Sequence, residues 1–179
     1  PVWGMLEKIA VNILAGVPAI VKPATATSFL TEAVTKEIIQ SGILPTGALQ
    51  LLCGSAGDML NHVTSQDVVT FTGSAHTGLM LKSHPTILAE NVPFNMEADS
   101  LNAMVLGEDV EPGSAEWDIF IKEVRKEMTI KCGQKCTAVR RIFVPENKIE
   151  AVQQALGKAL AQTTIGNPLN EQVRMGSLA

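Results

Sequence analysis

The amino-acid sequence predicts an α/β fold in which parallel strands alternate with helices. Short apolar runs of strand length recur along the first half of the chain, and segments with apolar residues at helical spacing lie between them. Glycine or proline marks most of the junctions. An order of strand, helix, strand, helix and strand implies parallel strands joined by right-handed crossovers.

Three of the predicted strands lie in the first half of the chain. Apolar residues at helical spacing predict a helix that ends near Gly16, and the run that follows predicts a buried strand. The apolar end of the second strand predicts that Cys53 lies in the core. The further predicted elements are a strand at 17–21, a helix at 29–41 capped by Thr27 or Ser28, a strand at 48–53, a short helix toward His62, a strand at 67–72, and a helix at 75–82.

The pattern changes beyond Glu97, which predicts a domain boundary near Ala98. The chain has 179 residues, of which 46% are apolar, enough for one fair-sized core in a compact unit or in a piece of a larger protein. The predicted elements of the second half are a strand at 102–106, a charged helix at 115–129, a loop with two cysteines, a strand at 141–144 and a helix at 148–161.

Composition and charge argue against several classes of partner. A net charge of -4 and an aromatic content of 4% argue against a nucleic-acid partner. The longest apolar run, at 9–21, is interrupted by Asn12, Gly16 and Pro18 and is too short to span a membrane. The chain has 3 cysteines, an odd number, and no secretion signal, so we expect a cytoplasmic protein without a disulfide framework.

The turn at Gly73 and Ser74 is a candidate phosphate-binding site. It follows a strand and precedes a helix, so main-chain N–H groups and the positive end of a helix dipole would face a pyrophosphate. A simple helix cap is the more common role of such a pair. The chain lacks the Gly-x-Gly-x-x-Gly fingerprint, and the turn at 54–57 does not supply it.

Lys22 and Glu97 are candidate site residues at strand ends. A lysine at the carboxyl edge of a parallel sheet can contact a ribose or a phosphate. Glu97 is the only carboxylate at 91–98, and its apolar neighbours Val92, Phe94 and Met96 would favour its use as a general base. The alternative for both residues is an ordinary solvated side chain after a strand.

Cys136 is the strongest candidate for a catalytic group. A thiol on a glycine-bearing turn among cations suits thioester-forming catalysis, because positive charge stabilises the thiolate. The alternative is a small buried cysteine beside a solvated helix face. Cys132 lies four residues earlier, but no second pair has zinc-like spacing, so we expect no metal site. Seven of the chain's 14 cations lie in this region: Lys122, Arg125, Lys126, Lys131, Lys135, Arg140 and Arg141.

Six short motifs occur in the order typical of a known family. They are Lys22-Pro23-Ala24, Phe71-Thr72-Gly73-Ser74, Glu97, Gly133-Gln134-Lys135-Cys136, Arg141-Ile142-Phe143-Val144 and Gly166-Asn167-Pro168. Together they resemble the aldehyde dehydrogenase superfamily over essentially the whole chain. The resemblance implies an aldehyde-dehydrogenase-like α/β fold. A Rossmann-like NAD(P)-binding sheet would occupy residues 1–97, and the first part of the catalytic domain residues 98–179.

The resemblance also implies the chemistry. Cys136 would attack an aldehyde, and Glu97 would activate the water that hydrolyses the resulting thioester. Two alternatives remain: a non-catalytic dinucleotide-binding or assembly module, and an acylating enzyme that passes the thioester to free coenzyme A. Thr25 stands where NAD-preferring members often carry a glutamate, so we expect NADP, with NAD as the alternative. The implied cofactor contacts are Lys22, Ala24, Thr25, Gly54, Gly73 and Ser74.

One departure from the family pattern narrows the expected substrate. In most family members, Leu-Gly-Gly-Lys follows the glutamate that corresponds to Glu97. Residues 98–101 differ from that sequence and resemble the corresponding residues of the family branch that acts on coenzyme-A-linked semialdehydes. Phenylacetate degradation is the first expectation for the pathway and aerobic benzoyl-CoA degradation the second. Two features of the family do not occur in this sequence: the asparagine that donates a hydrogen bond to the oxyanion, and the later Glu-x-Phe-Gly-Pro segment. We therefore expect a central fragment, inactive alone, of a longer homo-oligomeric enzyme, with a separate hydratase domain if the phenylacetate resemblance holds.

Overall fold

The computed structural model describes residues 2–178, in which helices and short strands alternate. Short 3-10 segments lie at Thr25–Thr27, Met59–His62 and Glu146–Lys148, and a turn with non-helical backbone angles lies at Ile130–Gly133. The other elements are α1 (Val2–Leu14), β1 (Ala19–Val21), α2 (Ser28–Gln40), β2 (Leu49–Leu51), β3 (Val69–Gly73), α3 (Ala75–Lys82), α4 (Pro85–Ala89), β4 (Phe94–Ala98), β5 (Ala103–Val105), α5 (Ala115–Thr129), β6 (Arg141–Phe143) and α6 (Ile149–Ala161). Within residues 2–178, no helix is both long and apolar enough to cross a membrane.

The strands pair in parallel, which confirms the direction predicted from the element order. β1 pairs with β2, β3 with β4, and β5 with β6. Within the described residues these pairs are three separate two-stranded sheets. β3 therefore has β4 rather than β2 as its neighbour. Element order sets strand direction but does not specify which strands become neighbours.

The chain divides into two compact units, one ending at Ala98 and one spanning Asp99–Leu178. In the first unit, Met5 and Ile9 of α1 pack with Ala19 and Leu49 of the β1–β2 sheet. Their four-residue spacing places Met5 and Ile9 on one face of the helix. The assignment of the two units to cofactor binding and catalysis stays a prediction.

The second unit has its core around α5. The helix is capped by Ser114, whose Oγ accepts the Trp117 main-chain N–H at 3.2 Å. Apolar residues then recur at helical spacing, so one face of α5 is buried against the β5–β6 sheet and α6. The buried residues of this core are Leu106, Trp117, Phe120, Ile121, Val124 and Val152.

Two burial predictions are wrong. Cys53 is exposed rather than part of the core, because β2 ends at Leu51 and leaves the cysteine in the following turn. The first predicted strand is buried on one face only: Ala19 is buried, whereas the side chain of Ile20 points outward and is 58% exposed. Both differences arise because β1 and β2 are short and their sheet is covered on one side in the first unit.

One prediction about a helix start differs from the structure, and one helix has no counterpart among the predicted elements. Thr27 is the residue before α2 but makes no side-chain cap bond, and Ser28 Oγ donates to a main-chain carbonyl at 2.9 Å. α4 was not predicted, because five residues are too few to show helical periodicity. Its start is nevertheless marked by Pro85 in the first turn and by His84, whose Nδ1 accepts a main-chain N–H at 3.3 Å.

Candidate active site

The carboxyl ends of β1 and β2 bring together four predicted cofactor contacts. The two strands run parallel and end opposite each other. The chain leaving β1 carries Lys22, Ala24 and Thr25, all exposed, and the chain leaving β2 carries Gly54. Lys22 Nζ donates to the Pro23 carbonyl at 3.1 Å. Gly54 has a φ of +99°, which residues with a side chain rarely adopt. This edge therefore presents a cation and a glycine turn to solvent.

The carboxyl ends of β3 and β4 bring Gly73, Ser74 and Glu97 together. Thr72 pairs with Glu97 in the ladder, and the next pair contains Gly73. Ser74 caps α3, as predicted: its Oγ accepts the Thr77 main-chain N–H at 3.2 Å. The positive end of α3 and the Glu97 carboxylate thus lie at the same edge of this sheet, where parallel sheets bind ligands.

Glu97 is exposed and forms an ion pair. Lys8 Nζ in α1 lies 3.3 Å from Glu97 Oε2, and the two side chains are 26% and 53% exposed. Side chains alternate along β4, so Phe94 and Met96 point to the face opposite Glu97. The apolar surroundings expected for Glu97 are wrong for this reason. Lys8 was not predicted as a partner because it lies 89 residues away.

Gly78 is a packing residue of α3 that was not predicted. It is buried in α3 where the helix packs against β3 and β4. A Cβ at this position would lie 2.3 Å from Met96 Sδ and 3.2 Å from Phe71 Cδ1. A larger residue here would therefore require the Met96 and Phe71 side chains to shift. The five-residue spacing from Gly73 is the signal that could have identified it.

Cys136 lies in the second unit, in the loop between α5 and β6, and is exposed. The alternative of a small buried cysteine is therefore wrong. After Ile130 the loop has three consecutive residues with positive φ, Lys131, Cys132 and Gly133, at 50°, 56° and 69°. This conformation costs about 1–2 kcal/mol for each non-glycine residue, so contacts must hold it. One such contact is from Cys132 Sγ, which donates to the Gly176 carbonyl at 3.3 Å.

Two of the cations that occur around Cys136 in the sequence are paired with carboxylates of α5. Lys135 Nζ lies 2.8 Å from Glu127 Oε1, and both side chains are mostly buried. Lys126 Nζ donates to Glu123 Oε2 at 2.9 Å, and this hydrogen bond lowers the pKa of Glu123 and raises the pKa of Lys126. The positive field at the thiol is therefore weaker than the number of cations in the sequence indicates.

Asn102 is a second residue that was not predicted, and it contacts the Cys136 segment directly. Its Nδ2 donates to the Cys136 carbonyl at 2.6 Å and to the Ala138 carbonyl at 3.4 Å. Its main-chain carbonyl accepts the N–H groups of Arg140 and Arg141 at 2.8 and 3.2 Å. The partners of the side chain are 34 and 36 residues away, so no local pattern indicates these contacts.

The model of the aldehyde dehydrogenase family matches residues 1–179, which is the whole chain. The chain belongs to the aldehyde dehydrogenase family. This aldehyde dehydrogenase chain is 48% identical, over 99% of its length, to 3,4-dehydroadipyl-CoA semialdehyde dehydrogenase from Aromatoleum evansii. It is 28% identical, over 100% of its length, to alpha-ketoglutaric semialdehyde dehydrogenase from Bacillus subtilis. Because it covers 35% of each relative, the chain spans about a third of the length of the curated relatives it matches.

The crystal structure of an oxidoreductase from Marinobacter aquaeolei has the same fold. The TM-score is 0.84 at 24% identity, and the match covers 97% of this chain and 36% of that one. The α/β aldehyde-dehydrogenase-like fold expected from the sequence is therefore confirmed. At this identity the likeness concerns the fold alone.

Proposed function

We propose that this chain is part of an enzyme that oxidises a coenzyme-A-linked semialdehyde to the acid, with a nicotinamide dinucleotide as oxidant. The observation that carries the proposal is the family match over the whole chain, together with 48% identity to a coenzyme-A semialdehyde dehydrogenase. The residues that follow Glu97 support the same substrate branch. The structure adds an exposed thiol and an exposed carboxylate at the two proposed catalytic positions.

The first unit has the groups needed to hold such a dinucleotide. α3 directs its positive end and the cap residue Ser74 toward the sheet edge, which suits a pyrophosphate. Lys22 supplies an exposed cation at the end of β1, where it can reach a ribose or a phosphate. The surface beside Lys22 carries no bulky side chain at Ala24, Thr25 and Gly54. When bound, the oxidised nicotinamide ring supplies a hydride acceptor.

Cys136 is the proposed nucleophile. Its thiolate forms a bond to the aldehyde carbon, and the carbonyl oxygen takes the negative charge of a tetrahedral hemithioacetal. When the aldehyde hydrogen departs as hydride, the oxygen charge collapses and leaves a thioester on Cys136. The exposed position of the thiol on its loop allows a substrate to approach it.

Glu97 is the proposed general base for the second half of the reaction. It removes a proton from water, the hydroxide attacks the thioester carbon, and the Cys136 thiolate leaves as the acid forms. The ion pair with Lys8 does not prevent the carboxylate from acting as a base, because exposed ion pairs contribute only about 0–1 kcal/mol to stability. Glu97 can therefore exchange this lysine for a water molecule at little cost.

Substitution of Cys136 tests the nucleophile in the full-length protein. Cys136→Ala should abolish oxidation of the coenzyme-A semialdehyde while dinucleotide binding persists. The matched control is Cys53→Ala, which removes another exposed thiol, in the first unit, and should leave turnover unchanged. Steady turnover in Cys136→Ala would refute the assignment. Unselective alkylation of the cysteines together with intact dinucleotide binding would favour a non-catalytic module.

Substitution of Glu97 tests the base separately. Glu97→Gln should still give a stoichiometric burst of reduced dinucleotide, because attack and hydride transfer do not need this residue, but steady turnover should fall at least about 100-fold. Glu7→Gln, an exposed carboxylate next to Lys8, is the control. Product analysis completes the test, since release of an acyl-CoA rather than a free acid would identify an acylating enzyme instead.

We also propose that the dinucleotide is NADP rather than NAD, because Thr25 places no carboxylate at the end of β1 to repel a 2'-phosphate. Thr25→Glu should lower kcat/KM for NADP at least about tenfold and leave NAD less affected. Thr25→Gln is the control for side-chain size. Equal losses with both cofactors would contradict the assignment of this position.

A further inference from the structure

We infer that Asn102 is a positioning residue for the Cys136 nucleophile. The inference rests on the proposed catalytic role of Cys136 and adds a residue that fixes the geometry of its loop. Asn102 is exposed and directly precedes β5, so packing in the core does not explain its side-chain contacts.

Asn102 holds the Cys136 segment by two independent sets of hydrogen bonds. The main-chain carbonyl accepts the Arg140 and Arg141 N–H groups, which aligns the start of β6 beside β5. The side-chain amide reaches further back along the loop, to the carbonyls of Cys136 and Ala138. The first set maintains the sheet whatever the side chain is. The second set depends on the amide donors alone, so substitution can separate the two.

The two carbonyls lie in a tight turn around the nucleophile. The Ala138 N–H donates to the Lys135 carbonyl at 3.1 Å, so residues 135–138 close on themselves with Cys136 second in the turn. On the preceding side, the Lys135 side chain is held by Glu127 of α5. The turn is therefore held at two points, from α5 through the Lys135 side chain and from Asn102 through the carbonyls of Cys136 and Ala138. The Asn102 amide anchors the turn to the edge of the β5–β6 sheet.

Such anchoring matters because attack on a carbonyl tolerates little displacement. A shift of about 1 Å at a reacting group can cost on the order of 100-fold in rate. Without the amide donors, the Cys136 carbonyl would bond to water and the turn would sample more positions. The expected effect is on the rate of thiol attack, not on binding of the dinucleotide, which the proposed contacts place in the first unit.

Three substitutions in the full-length protein test the inference. Asn102→Ala removes the donors without adding charge, Asn102→Asp keeps the shape but directs an acceptor at two carbonyls, and Asn102→Gln restores an amide. Asn147→Ala, an exposed asparagine elsewhere in the second unit, is the matched control. Circular dichroism establishes whether each variant is folded. If Asn102→Ala is misfolded, Asn102→Asp and Asn102→Gln test the inference.

The first readout is the first-turnover rate of dinucleotide reduction with the coenzyme-A semialdehyde. In Asn102→Ala and Asn102→Asp this rate should fall about 10- to 100-fold, with KM and the dinucleotide Kd within about twofold of wild type. Asn102→Gln should recover a substantial part of the loss. First-turnover rates within about twofold of wild type in folded Ala and Asp variants would overturn the inference. Equal losses in Ala, Asp and Gln together with weakened dinucleotide binding would also overturn it, since they would indicate general damage.

The second readout separates failure of this inference from failure of the proposed function. The ratio of iodoacetamide alkylation rates at Cys136 and at Cys53 needs no catalysis, and Asn102→Ala should change it by roughly threefold or more. An unchanged ratio would overturn the positioning role. Turnover that survives Cys136→Ala would instead overturn the proposed function, while the alkylation ratio would still report whether Asn102 holds the loop.

Discussion

Replacing Lys148 with methionine should loosen the segment between β5 and α5. Lys148 is only 4% exposed. Its Nζ donates to the Glu108 carbonyl at 2.8 Å, to the Val110 carbonyl, and to Glu111 Oε1 at 3.0 Å. One ammonium group thus ties three points of this segment to the start of α6. Methionine keeps most of the apolar stem and removes every donor.

The size of the effect follows from how exposed each partner is. The Glu111 side chain is 73% exposed, so its carboxylate returns to water and its loss costs little. Each of the two carbonyls loses a hydrogen bond from a charged donor, worth about 1.5–3 kcal/mol. Removing the ammonium also removes the cost of burying it, so we expect a net loss of about 3 kcal/mol. At about 1.4 kcal/mol per factor of ten, the segment should open roughly 100-fold more often.

Hydrogen exchange measured by mass spectrometry reports this opening without unfolding the whole protein. The relevant amides are those of Leu106 and Val110, which donate to main-chain carbonyls at 2.9 and 3.3 Å. Lys158→Met, which removes an exposed lysine of α6, is the control and should leave exchange unchanged. Wild-type exchange at residues 106–112 in Lys148→Met would refute the reasoning, as would equal acceleration in the control.

Three further predictions concern the proposed site. Gly78→Ala should lower the unfolding free energy by about 1 kcal/mol in denaturant titrations, because the Met96 and Phe71 side chains must shift to admit the methyl group at a cost that exceeds the gain in helix propensity; a stabilised variant would contradict this. Ser74→Ala should cost α3 about 1 kcal/mol and weaken dinucleotide binding in calorimetry; unchanged affinity would leave Ser74 a cap only. Glu127→Gln should free the Lys135 charge and speed alkylation of Cys136 a few-fold near neutral pH, whereas an unchanged rate would show that this charge does not reach the thiol.

Where the sequence carries a local signal, the predicted elements agree closely with the structure. The bounds predicted for α3 and α5 are those observed, because Ser74 and Ser114 are real side-chain caps and the apolar spacing is regular. The strands are shorter than predicted, because an apolar run continues past the residues that form ladder hydrogen bonds. Cys53 illustrates the consequence, since it belongs to the apolar run but not to the strand.

The partners of the proposed catalytic residues could not be predicted in the same way. The lysine at Glu97 and the amide at Cys136 come from segments 89 and 34 residues away, and neither contact has a repeating spacing in the sequence. The environment expected for Glu97 was wrong because neighbours in a strand point to opposite faces. Neighbours in the sequence therefore identify a strand, but they do not show which side chains surround a given residue of that strand.

In this chain the short motifs provide the functional groups, whereas a residue outside the motifs contacts the segment that carries the thiol. The short motifs supply a thiol, a carboxylate and a glycine turn, which define the chemistry that the chain can take part in. The Cys136 segment is contacted by Asn102, an exposed residue outside every motif that identifies the family, whereas the exposed ion pair with Lys8 holds Glu97 only weakly. On the proposed role of Asn102, a relative that kept the motifs but lost this asparagine would still match the family and would hold its thiol differently. Among relatives that share the motifs, the first-turnover rate of dinucleotide reduction should therefore vary with the residue at the position of Asn102.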